Sequence, residues 1–232
     1  VKNLFITGTD TAVGKTVVSR ALLQYLAHAG LSAVGFKPVA RNAVRSAEGL
    51  RSKDALVLQS SSTLTLPYDA INPLIYEEDE VSIRPRRPVD YPLLSQSLQR
   101  LEQQADCVVV EGTGGWRSLM NDAKPLSGWV AQHHMPVVLV VGIKQGCLSH
   151  ALLTAEAIAR DGLPLAGWVA NRINPGLAHY AELIDVLRDS IDAPLLGELP
   201  YLPRAEQRDL AGYLDLSSMG IAALPDSGAK IA

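Results

Sequence analysis

Gly8-Thr9-Asp10-Thr11-Ala12-Val13-Gly14-Lys15-Thr16 follows the apolar run Leu4-Phe5-Ile6 and opens onto a helical pattern. A strand that runs through a glycine-containing loop into a helix N-terminus gathers consecutive backbone N–H groups and the positive end of the helix dipole at one point. Phosphate oxygens are favoured there. In this setting Lys15 is expected to reach the β- and γ-phosphates, and Thr16 to offer its hydroxyl to Mg²⁺, a hard ion that takes oxygen ligands. One departure stands out: five residues separate Gly8 from Gly14 where the usual loop has four, and Thr9 falls where its first glycine would be. The competing reading is an ordinary strand-to-helix turn that happens to contain Gly-Lys-Thr. The strand before the loop and the well-started helix after it weigh against that, and the stretch reads as a nucleoside triphosphate site.

Outward from the loop, strand-length apolar runs alternate with helical periodicity. Val18, Ala21, Leu22, Tyr25, Leu26 and Ala29 recur at helical spacing until Gly30. Strands are expected at Ala33–Phe36, Cys107–Val110, Val137–Val141, Leu165–Ala170 and Leu195–Leu199. Helices are expected through Ala55-Leu56-Val57-Leu58, through Leu94, Leu98 and Leu101, from Ala151 to Ala159, and from Tyr180 to Leu187. Continuously apolar strands mean that both sheet faces are covered, which predicts a doubly wound, mostly parallel α/β sheet in a single domain spanning 1–232. There is no internal repeat. Residues 67–92, with five prolines, the acidic run Glu77-Glu78-Asp79-Glu80 and the basic Arg84, Arg86 and Arg87, read as one long irregular surface loop. The tail after about 217 has no periodicity and is expected to be poorly ordered.

Composition excludes other classes. With 232 residues the chain can bury one sizeable core, and 47% hydrophobic against 19% charged residues is ordinary globular usage. Twenty-one basic and 24 acidic residues give a net charge of -3 with no basic stripe, so nucleic acid is not an expected partner. The longest apolar run, Pro136 to Ile143, is too short to span a bilayer, and no leader pattern opens the chain, so no membrane partner is expected. Two cysteines cannot form a disulfide framework. The chain is expected to be cytoplasmic.

A bound triphosphate needs more charge at the C-terminal sheet edge, where open α/β sheets bind ligands. Glu111 ends the run Val108-Val109-Val110 and precedes Gly112-Thr113-Gly114-Gly115, where glycine permits close backbone approach. Lys37 ends the strand Ala33–Phe36 and is held by Pro38; the alternative is an ordinary exposed lysine. Asp54 is a weaker candidate, since it could merely cap the helix that follows. The five histidines show no metal spacing; His133 and His134 end a helix, where partial positive charge is favoured. Cys147, at a loop-to-helix junction, reads as a small packed residue.

These residues also resemble a family. Gly8–Thr16, Gly35-Phe36-Lys37-Pro38-Val39-Ala40, Asp54-Ala55-Leu56, Val110–Trp116, Gly167-Trp168-Val169-Ala170-Asn171 and Gly197-Glu198-Leu199-Pro200 are similar, in order, to the segments of ATP-dependent dethiobiotin synthetases, most of all the second, paralogous enteric type. The resemblance implies a P-loop NTPase-like homodimer that joins CO2 to a diamino acid, 7,8-diaminopelargonate, at the expense of ATP and with Mg²⁺ as cofactor. It implies catalytic Lys15 and Lys37, and Mg²⁺ on Thr16, Asp54 and Glu111. ATP would lie on Ala12, Val13, Gly14, Lys15, Thr16, Val17, Asp54, Glu111, Gly112, Thr113, Gly114, Asn171, Arg172, Pro200, Tyr201 and Leu202. The diamino acid would meet Thr11, Lys37, Arg41 and the loop Gly146, Cys147 and Ser149, the last three from the partner subunit. Many members carry Glu, Ser and Asn where this chain has Ala12, Arg41 and Ser149. Arg41 is expected to be an exposed bystander at the mouth of the site; the other reading gives it a carboxylate to hold. A switch ATPase of the partition and septum-positioning type is the alternative function, although such proteins typically carry a second lysine where this chain has Thr9. A related amide ligase acting on another substrate is a further one.

Overall fold

The computed structural model describes residues 1–77, 87–222 and 224. In chain order the elements are β1 (Asn3–Gly8), α1 (Lys15–His28), β2 (Ala33–Phe36), β3 (Val39–Ala40), β4 (Val44–Ser46), β5 (Gly49–Arg51), α2 (Lys53–Ser61), α3 (Tyr68–Ile71) and β6 (Leu74–Ile75). They continue with α4 (Tyr91–Gln104), β7 (Cys107–Gly115), α5 (Ser127–Gln132), β8 (Val137–Gly142), α6 (Cys147–Arg160), β9 (Leu165–Asn171), α7 (Tyr180–Ser190) and β10 (Leu195–Leu199).

Six strands form one parallel sheet in the order β10-β9-β8-β1-β7-β2. Successive side chains point to opposite faces, and here both faces are apolar. Leu4, Ile6, Val109, Val138 and Val140 pack under α1 and α2. Phe5, Val108, Val110 and Val137 pack under α4 and α5, and Leu139, Val141, Trp168 and Ala170 under α6 and α7 on that same side. The doubly wound parallel sheet expected from the continuous apolar runs is therefore present. β1 lies between β7 and β8, the point where the chain stops winding toward one edge and begins winding toward the other. Ligands of open α/β sheets bind outside the strand ends at such a point.

The stretch expected to be one irregular loop over 67–92 is structured over much of its described length. α3 and β6 lie within it, β6 pairs with β3, and α4 begins at Tyr91. The organising residue is Asn72, which is 2% exposed. Its Nδ2 donates to the Lys37 carbonyl at 2.8 Å and to the Leu74 carbonyl at 2.9 Å, while its Oδ1 accepts from Tyr68 Oη at 2.9 Å. Buried side-chain hydrogen bonds, not apolar periodicity, build this segment. Glu77 is exposed and pairs with Arg45; Glu78, Asp79, Glu80, Arg84 and Arg86 lie outside the described residues. So does most of the tail, but within it Ile221 is buried in the α1 cluster. Both cysteines are free and buried.

Candidate functional site

Sheet register assembles the floor of the site. Phe36 of β2 pairs with Val110 of β7, so Lys37, just past the end of β2, comes level with Glu111. Glu111 lies within β7, opposite Ile6 of β1, and not at its end as expected. Lys37 Nζ lies 2.7 Å from Glu111 Oε1, 3.1 Å from Asp54 Oδ2 and 3.1 Å from the Gly112 carbonyl oxygen. An ammonium has three protons to donate, and all three are engaged. Burial works against the charge, but the Glu111 and Asp54 carboxylates outweigh it and hold the Lys37 pKa above its ordinary value. Asp54 is raised by burial and lowered more by Lys37, ending below the usual carboxylate range. Asp54 does not cap its helix. Ser52 does, accepting from the Ala55 N–H through its side chain, which leaves Asp54 free to face Lys37. The Ser52 N–H donates to Tyr68 Oη at 2.8 Å, so one buried chain of hydrogen bonds ties the start of α2 to Tyr68, Asn72 and the Lys37 backbone.

The phosphate loop closes the site from above. Gly14 at φ 90° turns the chain into α1, a backbone that L side chains rarely adopt. Lys15 is buried, its Nζ curled to 3.4 Å from the Asp10 carbonyl. Burial first, and then the Lys37 charge, push its pKa down; the negative charge of a phosphate group would oppose both effects. Thr16 Oγ1 donates to Glu111 Oε1 at 2.8 Å. Glu111 is 0% exposed, and its Oε2 has no partner among the described residues. A fully buried carboxylate oxygen left unpaired is costly. Thr16, Asp54 and Glu111 thus present hard oxygens, one of them unoccupied, and this donor set fits Mg²⁺. Among the described residues no group of three or more His, Cys, Asp or Glu could hold a metal.

Two residues that brace the site were not among the expected ones. Lys144 Nζ lies 2.8 Å from Asp10 Oδ2, tying the loop after β8 to the crest of the phosphate loop and holding the Asp10 pKa down. Its position just past an apolar parallel strand is the same signal that marked Lys37. Asn72 had no such signal.

The remaining expected residues lie on the phosphate loop and α1, in β7, at the end of β9, just past β9 and β10, and at the start of α6. Thr11 is exposed at the loop crest, Ala12 has φ 54°, Val13 is buried and Val17 half-buried. Asn171, at the end of β9, donates from Nδ2 to the Val13 carbonyl at 2.8 Å, so it braces the phosphate loop directly. Gly114 has φ 69°, and Thr113 Oγ1 donates to the Val39 carbonyl. Arg172 stacks its guanidinium 4.4 Å from the Tyr180 ring centroid and donates to the Pro175 carbonyl. Pro200, Tyr201 and Leu202 leave the end of β10, with Tyr201 54% exposed. Gly146 and Ser149 are exposed, while Cys147 is buried in the α6 cluster, in keeping with a packed residue. A cavity of about 440 Å³ opens beside the loop, lined by Thr9, Asp10, Thr11, Trp116, Arg117 and Leu153 among others.

Two expectations are corrected. Arg41 is buried, not an exposed bystander: it is 9% exposed and donates from Nη2 to the Leu119 carbonyl. Sequence position could not show this, because residues 119–120 come from a distant loop. His133 follows α5 as expected, but burial pushes its pKa down, against the positive charge that a helix end favours. Its Nε2 lies 2.8 Å from Ser95 Oγ.

The AAA domain family model matches residues 2–208. A curated relative from Salmonella typhimurium, ATP-dependent dethiobiotin synthetase BioD 2, is 65% identical over 95% of this chain and 95% of its own length. The chain belongs to the dethiobiotin synthetase family. The synthetases called BioD 2 from Escherichia coli K12 and Yersinia pestis are 64% and 58% identical, over 94% and 93% of this chain and 95% and 97% of theirs. Among solved structures, MinD complexed with Mg-ADP from Pyrococcus horikoshii matches with TM-score 0.52 and 16% identity, over 95% of this chain and 89% of that one. The MinC:MinD complex of Aquifex aeolicus matches with TM-score 0.57 and 14% identity, over 88% and 83%. At that identity the likeness shows a shared P-loop NTPase-like fold alone. Among the described residues no helix is long and apolar enough to cross a membrane.

Proposed function

We propose that this chain is an ATP-dependent cyclo-ligase of biotin biosynthesis, closing the ureido ring of dethiobiotin. The observation that carries the reading is Lys37, buried and held by Glu111 and Asp54, beside Lys15 and Thr16 in a chain 65% identical to a named synthetase. In the reaction one amine of diaminopelargonate adds to CO2, giving a carbamate and releasing a proton. The carbamate oxygen takes the γ-phosphoryl of ATP and ADP leaves. The second amine then attacks the carbonyl carbon of this mixed anhydride and phosphate departs, closing the ring.

Negative charge accumulates where carbamate and γ-phosphate meet, and preorganised cations are the main means of lowering such a barrier. Lys37 meets the requirement because its proton is locked on by Glu111 and Asp54. Lys15 is pre-positioned by the loop that curls over it, and its ammonium gains most when phosphate arrives. Thr16, Asp54 and Glu111 would hold Mg²⁺, which when bound neutralises and orients phosphoryl oxygens. Asn171 holds the Val13 carbonyl so that the neighbouring N–H groups of the loop stay directed at the ligand.

The whole chain acts as one synthetase domain in the cytoplasm. It works as a homodimer, in which Gly146 and Ser149 of one subunit complete the diamino acid site of the other, while Cys147 stays packed in the α6 cluster; the exposed Gly146 and Ser149 beside the Lys144–Asp10 bridge support this. The switch-ATPase reading is not favoured, because its support is a fold likeness at 14–16% identity. Purified protein with ATP, bicarbonate and diaminopelargonate should yield dethiobiotin and ADP in equal amounts. ATP hydrolysis that ignores the diamine and yields no dethiobiotin would sink the reading.

A further inference from the structure

The row Thr16, Arg20, Gln24 and His28 runs along α1 at intervals of four residues, so these side chains share one face of the helix. Thr16 belongs to the site. The other three grip a strap of chain that returns from the end of β10. Arg20 Nη1 donates to the Ala205 carbonyl at 3.0 Å and to the Arg208 carbonyl at 2.6 Å. Gln24 donates from Nε2 to the Arg208 carbonyl at 3.3 Å and accepts from the Leu210 N–H at 2.9 Å. His28 Nε2 pairs with Asp209. Below these contacts Leu210, Ala211, Leu214 and Leu216 pack into the α1 cluster. None of this serves the phosphates, and a cavity of about 500 Å³ separates it from α2.

What the strap carries is the segment Pro200-Tyr201-Leu202. β10 pairs with β9 so that Leu199 meets Asn171, and the Arg172 N–H donates to the Leu199 carbonyl at 2.9 Å. The segment therefore starts at the strand ends, beside the residue that braces the phosphate loop, and presents Tyr201 to solvent there. One end of this stretch is fixed by the sheet and the other by α1, whose first turn would hold the triphosphate on the nucleotide-site reading. We propose that Arg20 and Gln24 are positioning residues for the nucleoside half of ATP. They set the distance between the phosphate loop and the wall formed by residues 200–202, and so govern how much the base and ribose add to affinity. This rests on the nucleotide-site reading above, and goes beyond it in assigning a role to side chains that touch no ligand.

Binding of two probes by calorimetry separates the cases: Mg-ATP, which has both halves, and Mg-tripolyphosphate, which has only the phosphates. In Arg20→Ala/Gln24→Ala, Mg-ATP should bind about tenfold more weakly, the loss of one to two hydrogen-bonded supports. Mg-tripolyphosphate should bind within twofold of wild type. Arg20→Lys, which keeps a cationic donor, should recover part of the ATP affinity, and Tyr201→Ala should reproduce the loss without disturbing the strap. Unchanged ATP binding in the double variant overturns the proposal. Equal weakening of both probes also overturns it, since the row would then merely stabilise α1. A wild type that binds Mg-ATP no better than Mg-tripolyphosphate overturns the base-site reading itself, and the proposal with it.

Discussion

Lys37 and Glu111 meet at 2.7 Å with side chains 4% and 0% exposed, Lys37 just past the end of β2 and Glu111 within β7. Removing one member of a buried pair strands the other, at about 3–5 kcal/mol. Lys37→Met should therefore lower unfolding stability by that order and kcat by about 10² or more. Lys37→Met/Glu111→Gln should regain most of the stability and none of the turnover. Urea unfolding and steady-state kinetics on the three proteins check both halves, and a double variant as unstable as the single one would contradict the pairing.

Lys15→Ala or Thr16→Ala should abolish ATP hydrolysis with the fold intact. For Lys15 the thermal midpoint should not fall, because burial disfavours its charge in the folded protein, so the folded state gains little from that ammonium until phosphate binds. Turnover at the wild-type rate in either variant would remove the phosphate-loop assignment.

Asn171 and Gly14 should show coupled defects. An added Cβ on Gly14 would lie 2.0 Å from Asn171 Nδ2, at φ 90°. Gly14→Ala should lose ATP binding, and Asn171→Ala should cost about 1–2 kcal/mol by leaving the Val13 carbonyl unpaired. Combining them removes the clash but not the backbone strain, so the double variant should be more stable than the sum predicts. Strict additivity in urea unfolding would show that the two residues do not meet.

His133 sets a pH dependence. Burial holds its pKa below the ordinary 6.5, so the unfolded chain takes up a proton first as pH falls. Stability is then lost from about 6.5 down to the lowered folded value and levels off below it. The thermal midpoint of wild type should drop between pH 7.5 and 5.5 by more than that of His133→Gln, which retains a polar partner for Ser95. Parallel curves for the two proteins would exclude the histidine as the cause.

The parts of this molecule that a reader of the sequence could anticipate are those written in local pattern. The β1 run, the glycine at the turn into α1 and the apolar strands place Lys15, Thr16, Lys37 and Glu111 at one edge, because a parallel sheet puts every strand end there. Asp54 needed a contact 17 residues away to choose between cap and site. Asn72, Arg41 and Lys144 needed more. Their meaning lies in hydrogen bonds to the Lys37 backbone, the Leu119 carbonyl and Asp10, partners that no periodicity marks. Buried polar residues are hard to read in a sequence because each is explained by its partner, and the partner is distant in the chain.

The sealing of the Lys37–Glu111 pair also separates what dissolved salt can and cannot reach. Mobile ions screen exposed charges over about 8–10 Å of water but do not enter a dry interior. The Lys144–Asp10 bridge, with side chains 34% and 43% exposed, is open to them, as is the approach path of a triphosphate. Rising ionic strength should therefore slow the arrival of ATP and loosen the loop crest, while the chemical step of a substrate already bound proceeds at its low-salt rate.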